Sequence, residues 1–473
     1  MAKKNADPKS GRYVREPGFK NLSAAERKEM DAYAGQYMDF LGKAKTERRA
    51  YAESVALIEA NGFKPLSAFK TLKPGDKVYR GYHGKTLMAA VIGRDPVEAG
   101  ANIVGGHTDA PRIDLKPVPV AEKGGFAYFD THYYGGIKKY QWVVRPLALY
   151  GVVCRKDGSV VEIAVGDKPG DPVFMITDIL PHLGQEQAKK PLAKGIEGED
   201  LDLLVGSEPK ESGDDKPAKQ KVKENLLAIL KEEYGIDEDD FVSAELEIVP
   251  AGMPREVGFD RSMIAGYGHD DRVCAYAGLK ALVDIGGVPA RTAAALMCDK
   301  EEIGSVGATG MDSTFFENTI AEIAARRLGA RYSDIALRRM LEASRMISAD
   351  VTAASDPIYH SADPVGNSAI MNAGACINKY TGHGGKSGAS DARAEFLAEL
   401  RATFDKHGVA WQIGELGKVD VGGGGTIAKF MARYGMDVVD MGTALLNMHA
   451  PWEIASKFDC YMTYRAYKAF LKP

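Results

Sequence analysis

The chain has 473 residues, more than one hydrophobic core ordinarily organises, so two domains are expected. Lys plus Arg is 61 against 65 Asp plus Glu, a net charge of −4, which argues against a general nucleic-acid binder, whose surface should carry a basic face. No apolar run approaches the roughly 18 residues that span a bilayer, and the basic N-terminus lacks the apolar stretch of a secretory signal.

The first 20 or so residues are polar and read as a loose arm. Ser23 and Glu26 form a capping box that opens a helix running toward Asn61-Gly62. Leu87 to Ile92 and Ala101 to Gly106 read as strands, the second running directly into His107. From Gly124 the chain turns aromatic and β-branched, and a strand from Leu149 to Cys154 folds back through Lys156-Asp157-Gly158 into Val160 to Val165. Residues 195–225 are charged and rich in Gly, Pro, Ser and Lys, and their middle reads as an exposed loop. A helix from about Val222 stops at Gly235, and a half-buried strand alternates over Val242, Ala244, Leu246 and Ile248. After Pro250, strands such as Ala293 to Cys298 and Met436 to Met441 alternate with helices such as Asp271 to Ile285 and Ala392 to His407. That alternation predicts an α/β three-layer sandwich with a mixed, largely parallel sheet. The β-rich stretch interrupts it, giving a catalytic domain of 1–115 and 252–473 and an inserted β-rich domain at 116–251. Five cysteines, Cys154, Cys274, Cys298, Cys376 and Cys460, are odd in number and without any CxxC, as expected of thiols in a reducing cytoplasm.

Chemistry concentrates at strand ends. His107 and Asp109 in HTDAP are two apart, so an extended strand presents both on one face: a metal-ligating imidazole and the acid that orients it. Asp270 and Asp271 in GHDDR open an amphipathic stretch. They are either an acidic helix start or a carboxylate shared by two ions with a second acid behind it, and His269 beside them is a loop histidine, a ligand or a substrate contact. Glu301 and Glu302 in CDKEEIG follow an apolar strand. Adjacent residues there face different ways, so one can bind metal while the other reaches a water. Asp350 ends MISAD, and His449 lies in NMHAP. Taken singly, each motif has an ordinary structural reading. Their joint occurrence points to a two-metal peptidase.

Extended motifs carry a resemblance. HTDAPRIDLKP, VPAGMPREVGFDRSMIAGYGHDDRVCAY, DKEEIGSVGATGM, SGASDA, ELGKVDVGGGGTIA and LNMHAPWEIASKFD, in this order, resemble the aspartyl aminopeptidase family, most closely its bacterial branch. The resemblance implies two divalent ions, zinc with Co or Mn as other acceptable metals. His107, Asp270 and Asp350 would hold one, and Asp270, Glu302 and His449 the other, with Glu301 as general base and Asp109 as the acid behind His107. It implies peptide substrates with a free N-terminus, a preference for acidic N-terminal residues, and a homo-oligomer, a closed tetrahedral dodecamer, built through the insertion. Two departures from the family leave substrate preference open: Ala353 where many relatives have His, and Asp271 where many have Asn. Lys379, Lys386 and Arg393 are candidate contacts for an acidic side chain. The Gly-rich runs around Lys386 and at Gly422 to Gly425 lack the spacing of a phosphate loop. Other readings are a neutral-residue aminopeptidase or deacylase on the same scaffold, or a catalytically silent metal-stabilised assembly protein. The last would have no need of Glu301.

Overall fold

The computed structural model describes residues 13–211, 220–364 and 366–472. Most of the expected N-terminal arm, residues 1–12, and the middle of the expected charged loop, residues 212–219, lie outside the described residues. The chain divides into two units, one of residues 1–110, 254–448 and 453–473, the other of 111–253 with 449–452. The sequence placed the insertion at 116–251.

The first unit is built on a nine-stranded mixed sheet. Its order is Lys64–Pro65, Lys77–Tyr82, Thr86–Val91, Thr292–Cys298, Ala101–His107, Arg345–Ala349, Asp437–Gly442, Ala375–Asn378 and Trp411–Ile413. The four strands from Thr292–Cys298 to Asp437–Gly442 run parallel. Alternate residues along these strands enter two separate cores, as strand geometry requires. Val104, Ala295, Ile347 and Val439 face one layer of helices, among them Ala24–Lys43, His269–Val283, Ala394–Lys406 and Lys457–Leu471. Ile103, Leu296, Met346 and Val438 face the other, formed by Phe315–Leu328, Asp334–Glu342 and Ala428–Ala432. The result is the three-layer α/β sandwich. Helix Lys457–Leu471 is buried almost throughout and packs along His269–Val283. Each large side chain it buries, Phe458, Met462 and Phe470 among them, stabilises the layer by about 1.5–3 kcal/mol.

The expected long N-terminal helix is two helices, Ala24–Lys43 and Glu47–Ala60. Ser23 does form the capping box, accepting from Glu26 N at 3.2 Å while Glu26 accepts from Ser23 N at 2.9 Å. The break comes because Thr46 takes an extended backbone and its hydroxyl accepts the Arg49 N–H, starting a second helix. A five-stranded sheet in the same unit places Met263–Gly266 between Arg255–Val257 and Glu453–Ser456, and delivers the chain to residue 269.

The second unit is a six-stranded antiparallel sheet in the order Val160–Val165, Leu147–Cys154, Ala244–Pro250, Arg112–Lys123, Phe126–Tyr134 and Leu203–Gly206, carrying helix Lys221–Tyr234. Gly235 ends that helix at φ 65°. The strand predicted from Val242 starts at Ala244, because residues 238–243 form a 3-10 turn whose entry Asp240 caps by accepting the Asp237 N–H at 2.9 Å.

Candidate metal centre

Three adjacent parallel strands of the first unit bring its site residues to one edge of the sheet. His107 is the last residue of its strand and pairs with Cys298, so the turn carrying Glu301 and Glu302 leaves the sheet beside it. On the other side, Arg345–Ala349 ends one residue before Asp350. The carboxyl ends of parallel strands are where open α/β sheets expose their loops, and here three such ends converge.

His107 is buried, with Nε2 lying 3.2 Å from Asp270 Oδ1 and 4.0 Å from Asp350 Oδ1. Its Nδ1 lies 3.0 Å from the Asp109 carbonyl oxygen, which can only accept, so Nδ1 carries a proton and Nε2 is the ring nitrogen turned toward the acids. One ligand atom each from His107, Asp270 and Asp350 falls within 4.8 Å of the others. One imidazole nitrogen and two carboxylate oxygens suit zinc or a similar divalent ion. Electrostatics agree. Burial pushes Asp350 well above the usual carboxylate range, and the neighbouring charge of Asp271 adds to it. Burial alone would lower the His107 pKa, but hydrogen bonds to Asp109 and Asp270 outweigh it and hold the imidazole well above its usual value. Crowded, buried acids of this kind favour the uptake of positive charge, which a divalent cation would supply in place of protons.

Asp109 does more than orient His107. It is fully buried, its Oδ1 accepts the Glu301 N–H and its Oδ2 the Glu302 N–H, both at 3.1 Å. Lys300 before this pair is left-handed at φ 68°, as is Ser305 after it at φ 63°, so the turn is held in a conformation that needs such anchoring. Asp271 lies behind the site, accepting the His107 N–H at 3.4 Å. Gly106 leaves room for it, since a Cβ there would sit 2.4 Å from Asp271 Oδ2.

His269 is not a loop histidine. It is fully buried, its Nδ1 lies 2.7 Å from the Tyr37 hydroxyl, and burial lowers its pKa to about 3, so it is a neutral core residue. His449 follows Ala444–Leu446 in a left-handed conformation at φ 64° and belongs to the second unit. Its Nδ1 lies 2.9 Å from the Gly136 carbonyl oxygen, which again fixes the proton on Nδ1 and leaves Nε2 as the donor atom for a metal. Lys379 and Lys386 both bond Asp391, at 2.5 and 2.9 Å, and Arg393 bonds Asp437 at 2.6 Å. Glu453, which motif reading passed over, is buried and accepts the Asp270 N–H at 3.1 Å. Its signal was an acid four residues beyond His449 in a run of otherwise apolar and small residues.

The family pattern "Aminopeptidase I zinc metalloprotease (M18)" matches residues 40–471. A probable M18 family aminopeptidase 1 of Clostridium acetobutylicum is 51% identical over 448 residues, covering 94% of this chain and 95% of its own. Its counterpart in Thermotoga maritima is 46% identical over 447 residues, covering 94% and 97%. The crystal structure of an M18 aminopeptidase from Thermotoga maritima superposes with a TM-score of 0.93 at 44% identity, covering 98% of this chain and all of that one. Aminopeptidase I from Clostridium acetobutylicum gives 0.89 at 47% identity, covering 97% and 99%. At 20% identity and a TM-score of 0.74, the S. cerevisiae mApe1 dodecamer shares the fold, over 94% of this chain and 97% of that one.

Proposed function

The chain belongs to the M18 family of zinc aminopeptidases, and from that premise we propose that it removes acidic residues from the free N-termini of peptides at a two-ion centre. In this reading His107, Asp270 and Asp350 hold one ion, and Asp270, Glu302 and His449 the other. The observation that supports it is the placing of His107 Nε2 3.2 Å from Asp270 Oδ1 and 4.0 Å from Asp350 Oδ1, with the ring held by Nδ1 on the Asp109 carbonyl oxygen. Bound there, zinc, or Co or Mn in its place, would supply Lewis-acid polarisation of the scissile carbonyl and lower the pKa of a water toward ~7.

The protein's own groups do the rest. Glu301 takes the proton of the attacking water and passes it to the leaving amine. Asp109 holds the backbone of Glu301 and Glu302 together, so the base and its neighbouring ligand keep a fixed separation. Lys379 and Lys386 are the candidates for reading an acidic side chain. A substrate carboxylate would compete with Asp391 for them. The second unit would form contacts between subunits, and its exposed Val118, Phe126, Tyr133, Val160 and Ile229 are suitable surface for that. The dodecamer of the distant yeast protein makes a closed assembly the form to expect. Five free cysteines suit a cytoplasmic setting.

The test combines two measurements. Anomalous scattering at the metal edges counts and identifies the ions, and a panel of Asp-, Glu-, neutral and N-acylated substrates ranks kcat/KM. Two zinc peaks and a preference for Asp or Glu are expected. A single ion would overturn the two-ion centre. A preference for neutral residues would overturn the acidic reading, and faster cleavage of acylated substrates would make the chain a deacylase. Glu301→Gln should keep the metals and lose about 10²–10⁴-fold in turnover.

A further inference from the structure

We infer that Glu453 is a positioning residue for the metal centre: its carboxylate holds the backbone of Asp270 and thereby sets where the shared ligand stands. The inference rests on the proposed role of Asp270 as the carboxylate between two ions.

Asp270 lies at the start of His269–Val283 but is not helical there, with φ −79° and ψ 110°, and Asp271 departs from the helix as well, with φ −111° and ψ 26°. An N–H at a helix start has no acceptor within its own helix. Asp270 is 3% exposed, so water does not supply one freely, and a buried N–H must find its partner elsewhere in the fold. Glu453 Oε2 is that partner at 3.1 Å. The carboxylate is itself 1% exposed.

Topology explains why this residue can reach. Glu453 opens the strand Glu453–Ser456 and pairs directly with Gly266, the last residue of Met263–Gly266. The chain leaves its strand opposite Glu453, turns through Gly268 at φ 76°, and brings the Asp270 N–H back to the Glu453 side chain. The carboxylate therefore closes the loop that carries Asp270. Arg272, just beyond, donates from Nε to the Thr108 carbonyl at 2.9 Å, which ties the other end of the same segment to the residue after His107. Between these two anchors the Asp270 side chain has little freedom to drift from His107 Nε2.

Two explanations of Glu453 make opposite demands. Positioning needs an oxygen acceptor at the right reach and no charge. Electrostatic attraction of cations needs the charge and tolerates a change in reach. Glu453→Gln keeps the acceptor and removes the charge, whereas Glu453→Asp keeps the charge and withdraws it by one methylene. Both are conservative, and Asp270→Asn belongs in the same series. Each full-length variant would be loaded with zinc and dialysed against graded chelator, and the ions retained per chain counted by mass spectrometry.

Glu453→Gln should retain both ions within a few-fold of the wild type. Glu453→Asp should release them at about 10–100-fold weaker chelation, the usual range when a supporting partner of a ligand is lost. Equal loss in both variants, or wild-type retention in Glu453→Asp, would overturn the inference. Two tightly held ions in Asp270→Asn would instead remove the shared-ligand reading, and this inference with it. That outcome is recognised without the Glu453 variants.

Discussion

Replacing Asp109 with Asn tests the anchoring of the turn that carries Glu301, the proposed base, while preserving shape. Asp109 uses both oxygens, Oδ1 for Glu301 N–H and Oδ2 for Glu302 N–H, each at 3.1 Å. An Asn has one oxygen and one amino group, so in either orientation one backbone N–H faces another donor. Hydrogen bonds to a charged partner contribute about 1.5–3 kcal/mol, and the site is fully buried, so water does not replace the lost acceptor. At about 1.4 kcal/mol per factor of ten, the loss corresponds to roughly 10–150-fold. Asp109 Oδ1 also lies 3.3 Å from His107 Nδ1, but the Asp109 carbonyl oxygen at 3.0 Å still accepts from that nitrogen in the variant, so the ring keeps its shorter contact. Zinc retention should therefore change much less than kcat. The assay is kcat and KM at saturating zinc, with ions per chain counted on the same sample. A variant within about threefold of wild-type kcat with its metal in place would refute the argument that these two hydrogen bonds hold the proposed base, Glu301.

Asp270→Asn should lower occupancy at both metal positions, whereas His449→Ala should empty mainly one. Elemental analysis separates the two patterns, and equal loss in both variants would contradict the assigned sharing. Asp440 offers a stability test at a residue with no proposed metal-holding or proton-transfer role. Burial raises its pKa to about 6 from 3.8, while Thr426 donates to its Oδ1 at 2.7 Å. A folded-state pKa above the unfolded one means ionisation destabilises the fold, with the penalty absent below pH ~4, growing up to ~6 and constant above, at roughly 2–3 kcal/mol. Asp440→Asn lacks that penalty, so its stability advantage in denaturant melts should widen from pH 4 to 6, and a pH-independent difference would refute the burial argument. Light scattering at assay concentration should find a large homo-oligomer, and a fully active monomer would remove the assembly role proposed for the second unit.

Local chemistry was legible where it repeats along the chain. The capping box at Ser23, the strand running into His107, the hairpin turn after Cys154 and the stop at Gly235 each depend on neighbours within a few residues, and each stands where the pattern put it. The alternation of strands and helices after Pro250 was enough for the sandwich, because periodicity reports which face of an element is apolar. The second N-cap at Thr46 was also written in the chain but lay inside a run of good helix formers, where a competing cap is easily overlooked. Tertiary structure decided the rest. His269, Asp270 and Asp271 are consecutive, yet one is a neutral core residue on Tyr37, one faces His107 Nε2, and one braces the backbone from behind. Sequence adjacency cannot separate these roles, because what surrounds each side chain comes from strands and helices far along the chain. The same holds for Asp109 and Glu453, whose backbone acceptors and donors are identified only by which distant strands the sheet brings side by side. A buried carboxylate is placed by the groups that desolvate and bond it, and those are a property of the fold.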